Sequence, residues 1–302
     1  MSHIAIYTSF LKKFLKVKRS LNVIFDCSNG TAGLVLRKLK TKNLKLKIID
    51  GKPDGNFPAH GPNPMYDEAL NDLRKAIRKY KADFGVIFDG DGDRVFFVDD
   101  KGRRLAPDVS ALLISKNFSG PIILSSTMGF LAHREIKKDG KRIMDWKVGH
   151  YFMKRKMAEK NICFGAEHSG HFYFGANGFG KLTAGKFYFD SGILSAIYFM
   201  NSVSKINSKL SEWVDNLPKI YRSGELNFKI RDKEAAMRKI EKIYKNHAQK
   251  ISHLDGLRME FKNTWFSLRP SGTEDLIRLN LEAGDKKVFD QELKKIKRLI
   301  KN

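Results

Sequence analysis

Phe84-Gly85-Val86-Ile87-Phe88-Asp89-Gly90-Asp91-Gly92-Asp93-Arg94-Val95-Phe96-Phe97-Val98 decides how the rest of the chain is read. Two short apolar runs rich in β-branched and aromatic residues flank a loop in which three carboxylates alternate with two glycines, and an arginine follows. The pattern predicts strand, tight loop, strand. Asp-Gly is a common hairpin signal, so a solvated acidic turn is the plain alternative. Three like charges crowded together are unfavourable without a counter-ion, however, and hard divalent cations prefer oxygen ligands. Asp89, Asp91 and Asp93 are therefore candidate ligands for Mg²⁺ beside a phosphate. An EF-hand is excluded: Arg94 stands where glycine is required, Asp100 where glutamate is required, and strands flank the loop.

Outward from that loop, the segments predict two α/β domains with mixed sheets and flanking helices, followed by a smaller α+β domain. A helix over 4–17 would present Ile4, Tyr7, Phe10, Leu11, Phe14 and Leu15 on one face that needs a cover. Strand 21–25, helix 32–39 and strand 44–49 make a βαβ unit. Residues 51–64 hold four of the eight prolines and form an extended loop, and 67–80 is helical. Residues 21–110 thus form the first domain. In 111–215, strands at 121–124, 142–146 and 162–164 alternate with helices at 111–114, 129–137, 151–159 and 187–206. Residues 207–220 read as a connection. In 216–302, strands at 225–230, 258–261, 265–268 and 277–281 accompany helices at 232–248 and 286–301.

Composition narrows the partners. The chain has 302 residues, enough for two or three domains, and 42% of them are hydrophobic, enough to build their cores. A net charge of +24 attracts phosphates, but the basic residues are interleaved with apolar ones and no zinc-finger or RNP-type motif occurs, so no specific nucleic-acid partner is expected. Cys27 and Cys163 read as free thiols of a reducing compartment. No uncharged apolar run is long enough for a membrane span, and a cytoplasmic protein is expected.

Two further loops carry chemistry. Glu167-His168-Ser169-Gly170-His171 offers a carboxylate, a hydroxyl and two imidazoles, suited to sugar hydroxyls and to proton transfer by His171 near neutral pH. A zinc site there is disfavoured because Gly170 argues against the helix such a pair needs. Arg269-Pro270-Ser271-Gly272-Thr273-Glu274 combines a bidentate fork, hydroxyls and a glycine, as a phosphate nest does; alone it reads equally as a hairpin turn. Asp26-Cys27-Ser28-Asn29-Gly30-Thr31 superficially resembles the Asp-x-Asp-Gly-Thr loop of haloacid-dehalogenase-type phosphatases, but Ser28 and Asn29 leave no second carboxylate, and a helix-capping turn is expected.

Taken together, Asp-Gly-Asp-Gly-Asp-Arg at 89–94, Gly-x-Glu-His-Ser-Gly-His at 165–171 and Arg-Pro-Ser-Gly-Thr-Glu at 269–274 resemble the metal, sugar and phosphate loops of the α-D-phosphohexomutases, the phosphomannomutase and phosphoglucomutase superfamily. Pro53-Asp54-Gly55-Asn56-Phe57-Pro58, Asn63-Pro64 and Lys147-Val148-Gly149-His150 are similar to that family too. The resemblance implies a shift of phosphate between the 1- and 6-positions of a hexose through a bisphosphate. It implies Mg²⁺ on Asp89, Asp91 and Asp93, with Arg94 on the transferring phosphoryl group and Lys147 and His171 as acid/base residues. Glu167, Ser169 and His150 would bind the substrate; Arg269, Ser271, Gly272 and Thr273 would hold its other phosphate. The expected cofactors are Mg²⁺ and hexose 1,6-bisphosphate.

The family carries a further first domain whose serine lies in a Thr-Ala-Ser-His-Asn-Pro loop, and these residues contain no such stretch. The chain resembles domains two to four, with 1–20 as the joining helix, and the phosphoserine domain is expected either on a separate partner chain or on residues outside this sequence. Ala166, Ser191 and Asp275 depart from the family pattern without removing a ligand. His168 favours the phosphomannomutase/phosphoglucomutase branch. A non-catalytic sugar-phosphate-binding regulator is the second reading, and an enzyme with another phosphoryl carrier, or a slow phosphatase, the third.

Overall fold

In a computed structural model that describes residues 2–39, 41–175, 187–272 and 274–301, the opening stretch is an antiparallel hairpin. Strands β3 (Phe84–Phe88) and β4 (Val95–Asp99) are buried throughout and close on the Phe88–Val95 pair. They continue a sheet in which β1 (Leu21–Asp26) pairs in parallel with both β2 (Leu44–Ile49) and β3, giving the order β2-β1-β3-β4. Alternation along these strands divides the apolar residues between two faces. Ile24, Ile87, Phe96 and Val98 pack with Leu73, Ala76 and Ile77 of α3 (Asn71–Tyr80), while Val23, Phe25, Val86, Phe88 and Phe97 enter the main core.

A second mixed sheet has the order β6-β5-β7-β8-β9, from β5 (Ile122–Ser125), β6 (Ile143–Trp146), β7 (Phe164–Ala166), β8 (Phe172–Gly175) and β9 (Tyr188–Asp190). One face packs Ile123 and Tyr173 against Met153 and Met157 of α6 (His150–Lys160). The other faces the first sheet across α4 (Pro107–Ser115) and α7 (Gly192–Val203), whose twelve residues are all buried. Neighbours on α7 reach opposite sheets: Phe199 stacks on Phe97 at 3.8 Å, and Tyr198 lies 5.5 Å from Phe174. The helices α2 (Ala32–Leu36) and α5 (Phe130–Lys138) complete the shared core.

The last unit is one antiparallel sheet, ordered β10 (Tyr221–Arg222), β15 (Leu276–Ala283), β14 (Thr264–Pro270), β13 (Leu257–Glu260) and β12 (Lys250–Ser252), with β11 (Leu226–Lys229) also on β15. Its apolar alternates pack under α9 (Lys233–Tyr244) and α10 (Lys286–Lys301). The mixed sheets with flanking helices and the smaller terminal unit match the fold class read from the sequence.

Local differences have physical causes. The N-terminal helix α1 (His3–Lys12) stops well before residue 17, because α7 captures the chain: Asn201 Oδ1 accepts from Lys16 N at 2.7 Å, Asn201 Nδ2 donates to Phe14 O at 2.8 Å, and Ser204 accepts from Lys18 N. Leu11 and Phe14 are covered by this same core. The helix expected from 187 begins only at Gly192, capped by Ser191, because Tyr188–Asp190 pair with β8. Residues 207–220 include the helix α8 (Leu210–Asp215), and β8 and β12 had no clear sequence signal. Thr31 does not cap α2; its hydroxyl donates to Asp91 O instead.

Candidate functional site

The hairpin delivers Asp89 almost fully buried, Asp93 half-buried and Asp91 exposed. Asp89 Oδ1 accepts from the backbone N–H of Gly92 at 3.0 Å and of Arg94 at 3.1 Å, and Oδ2 takes Arg94 Nε at 2.6 Å. Gly92 has φ +79°, which lets the loop fold back over that carboxylate. One oxygen from each of Asp89, Asp91 and Asp93 lies within 4.8 Å of the others. Burial pushes Asp89 up to about 6, with the neighbouring Asp93 adding to it; Asp93 is held down at about 2, first by its hydrogen bond to His171. An all-oxygen donor set with carboxylates pressed this close fits a hard divalent cation.

Beside it, Glu167 is buried at the end of β7. Its Oε1 accepts from Gly149 N at 2.8 Å and its Oε2 from Ser169 Oγ at 3.1 Å, and Ser169 Oγ lies 2.9 Å from His171 Nδ1. This loop lies against the hairpin: Arg94 and His171 form a backbone bridge, Val95 N donates to Gly170 O at 3.1 Å, and His171 Nε2 is 3.4 Å from Asp93 Oδ2. Gly170, at φ +89°, leaves no room for a Cβ beside Phe96 and Val95. Burial alone would lower the His171 pKa, but the Asp93 hydrogen bond and the charges of Asp93, Glu167 and Asp190 raise it overall. The ordinary imidazole value assumed from the sequence therefore gives way to one that favours the imidazolium.

Lys147 and His150 are exposed, and their loop is held from two sides. Gly149 bonds to Glu167, and Val148 N donates to Asp255 Oδ2 at 3.1 Å. Asp255 also accepts from Ser126 Oγ at 3.1 Å and lies 3.4 Å from Arg269 Nε. It thereby joins the Lys147–His150 loop to the Arg269 end of β14. Sequence reasoning missed Asp255, since Asp-Gly between two strands signals only a turn.

Arg269 and Pro270 end β14 rather than lying in the loop. Arg269 stands directly opposite Arg278 of β15. Like charges in such a pair are destabilising, and an anion between them reverses the sign. Arg278 was also missed; its alternation with Asn280 and Glu282 was the available signal. Ser271 is buried, its Oγ accepting from Glu274 N at 3.2 Å, and Gly272 is exposed with open space around it. Lys233 Nζ donates to the carbonyls of Ser271 and Glu274 at 3.2 and 3.1 Å. A lysine in the first turn of α9 opposes the helix dipole, which was the clue to a role at this loop. Thr273 lies outside the described residues.

Hydrogen bonds and ion pairs thus connect all four loops. Comparison with known proteins gives matches to the models "Phosphoglucomutase/phosphomannomutase, alpha/beta/alpha domain II" over residues 5–102, "alpha/beta/alpha domain III" over 109–221 and "C-terminal domain" over 225–299. The phosphomannomutase of Methanocaldococcus jannaschii is 35% identical over 98% of this chain, which spans 65% of that protein. A phosphoglucomutase/phosphomannomutase family protein from Burkholderia thailandensis has a crystal structure that superimposes with a TM-score of 0.86 at 26% identity, covering 99% of this chain and 64% of that one. The fold also matches Aspergillus fumigatus N-acetylphosphoglucosamine mutase in complex with GlcNAc-6P and magnesium, at a TM-score of 0.70 and 15% identity over 99% of this chain and 65% of that one.

Proposed function

The chain belongs to the phosphoglucomutase/phosphomannomutase family, and from that premise we propose that it supplies the metal, sugar and distal-phosphate loops of a phosphohexomutase. The reaction moves phosphate reversibly between the 1- and 6-positions of a hexose through the 1,6-bisphosphate. A phosphoserine domain, on a separate chain or on further sequence of the same protein, donates and recovers the phosphoryl group.

Asp89, Asp91 and Asp93 would hold Mg²⁺, which supplies charge neutralisation to the phosphoryl oxygens. Arg94, fixed on Asp89, would steady the transferring group. Glu167, Ser169 and His150 orient the sugar. In each half-reaction the hydroxyl oxygen forms the new P–O bond as the old one breaks. In the first half-reaction Lys147 takes the hydroxyl proton and His171, kept protonated, gives one to the departing oxygen; in the second the two exchange roles, and the site returns to its starting state. Arg269, Arg278 and Ser271 grip the phosphate that is not reacting. The ligands in the Aspergillus complex, a hexosamine phosphate and magnesium, support this choice of substrate class and metal.

The observation that carries the reading is the bridge between Arg94 and His171, with Asp93 against the imidazole. It sets the metal carboxylates and the acid within one hydrogen-bonded unit. The test is ³¹P NMR of the chain with mannose 6-phosphate, Mg²⁺ and a trace of hexose 1,6-bisphosphate, with and without an added phosphoserine domain. A growing 1-phosphate signal is expected when that domain is present; binding without turnover under both conditions overturns the mutase assignment.

A further inference from the structure

Strand β1 ends in a carboxylate with no exposure at all, Asp26. His60 Nε2 lies 3.1 and 3.2 Å from its two oxygens, and His60 Nδ1 lies 3.0 Å from the Gly61 carbonyl. A carbonyl only accepts, so Nδ1 carries hydrogen; the hydrogen bond to Asp26 and the charges of Asp26 and Asp50 outweigh burial, raise the His60 pKa and favour hydrogen on Nε2 as well. The charged groups facing it are all acidic: Asp26 of β1, Asp50 after β2 and Asp72 of α3. Asp26, Asp50 and His60 cluster closely enough for a metal, but a ring donating from both nitrogens has no lone pair to offer one.

This ion pair fastens two segments that grip the backbone of the metal loop. On one side is the turn after β1: Ser28 Oγ donates to Phe88 O at 2.5 Å, Thr31 N to Gly90 O at 3.1 Å and Thr31 Oγ1 to Asp91 O at 3.1 Å. Gly30 sits too close to Gly90 for any side chain. On the other side is the proline-rich loop that carries His60. A Cβ at Gly90 would lie 3.0 Å from the Phe57 ring and 3.3 Å from Pro62. Ala59 N donates to Asn29 Oδ1, joining loop to turn.

We infer that His60 is a positioning residue whose ion pair with Asp26 clamps residues 27–31 and 51–64 around Gly90, and so sets the spacing of the Asp89, Asp91 and Asp93 carboxylates for a divalent cation. The inference rests on the Mg²⁺ reading above. It makes metal binding depend on pH: the clamp is complete while His60 is charged and loosens as pH rises through its elevated pKa, the sign expected for a histidine stabilised by a carboxylate.

The test uses Mn²⁺ as the probe, with binding followed by electron paramagnetic resonance from pH 7 to 9, on the wild-type chain and His60→Gln. The wild type should bind more weakly as pH rises. The folded variant should bind about tenfold more weakly at pH 7 and show no such trend, a tenfold change being about 1.4 kcal/mol. A folded variant with wild-type affinity and slope overturns the clamp and leaves the metal site standing. A wild type that binds no Mn²⁺ overturns the site and the clamp together. Should the variant not fold, ¹⁵N NMR of the wild-type imidazoles decides: a doubly protonated His60 at pH 7 that titrates in step with Mn²⁺ affinity supports the clamp, and a neutral ring overturns it.

Discussion

The molecule has two seams of opposite character. Between the first and second α/β units there is no chemical boundary: one apolar cluster runs from Leu11 through both sheets to Leu210, with Phe199 of α7 wedged against Phe84 and Phe97. The terminal unit keeps its apolar residues in a cluster of its own and turns the polar alternates of β13, β14 and β15 toward its neighbour. Arg258 Nη1 donates to the carbonyls of Ser126 and Met128, and its guanidinium lies 3.8 Å over Trp265. Glu282 accepts from Arg222, Trp265 and Phe130 N, next to a buried Asp108. Apolar burial is non-directional and tolerates no gap, so the first seam locks two units into one body. The second rests mainly on discrete bonds that depend on geometry and charge, with one edge-on ring contact between Phe130 and Trp265. Arg269 and Arg278 stand on that same polar face, so the surface that docks the last unit also presents the two arginines proposed to grip the phosphate.

The strongest way to break this contrast is Phe199→Ala. A fully buried phenyl packed on two rings should cost about 3–5 kcal/mol on truncation, read by denaturant unfolding, and both α/β units should lose stability together. If only the second unit weakens, the two are not one body. Arg258→Ala should cost less, about 1–3 kcal/mol, since it leaves two carbonyls unpaired. Its signature is local: hydrogen exchange should accelerate in β13 and β14 while β3 and β4 keep their protection.

Two measurements sharpen the link between seam and site. Arg269→Ala should weaken hexose-phosphate binding by about 1–3 kcal/mol in calorimetry. It should leave overall stability nearly unchanged, because the paired Arg278 loses a like charge at the same time. The smallest effect belongs to Glu282. Burial and the neighbouring Asp108 raise its pKa, so the folded state favours the proton and the seam weakens as pH rises from the ordinary glutamate range through the elevated value. Glu282→Gln should flatten that dependence in hydrogen exchange of β14; an unchanged profile would place the proton elsewhere.

Most of the fold was legible because the apolar periods are strong. The hairpin around 89–94 and the βαβ unit of β1 and β2 fall where the alternating and helical patterns put them. The failures share a cause. Residues 13–17 keep a helical pattern, yet side chains of α7 nearly two hundred residues away take their backbone groups. Tyr188–Asp190 fit helix or strand alike, and the free edge of β8 decides. At the site, the three loops announced their chemistry through residue type. Asp255, Arg278 and Lys233 did not, because each sits in an ordinary turn, strand or helix and matters only for what it faces.

The sequence by itself determined the chemistry on offer: three alternating carboxylates, a Glu-Ser-His loop and an Arg-Ser-Gly loop, each short enough for local spacing to constrain it. Only the tertiary structure decided how these loops meet, through the Arg94–His171 bridge, the Gly149–Glu167 bond and Asp255 between Val148 and Arg269. It also decided their charge states. A proton on His171 or His60 depends on which carboxylates burial brings within hydrogen-bonding distance, and that follows from the packing of whole sheets rather than from neighbours in the chain.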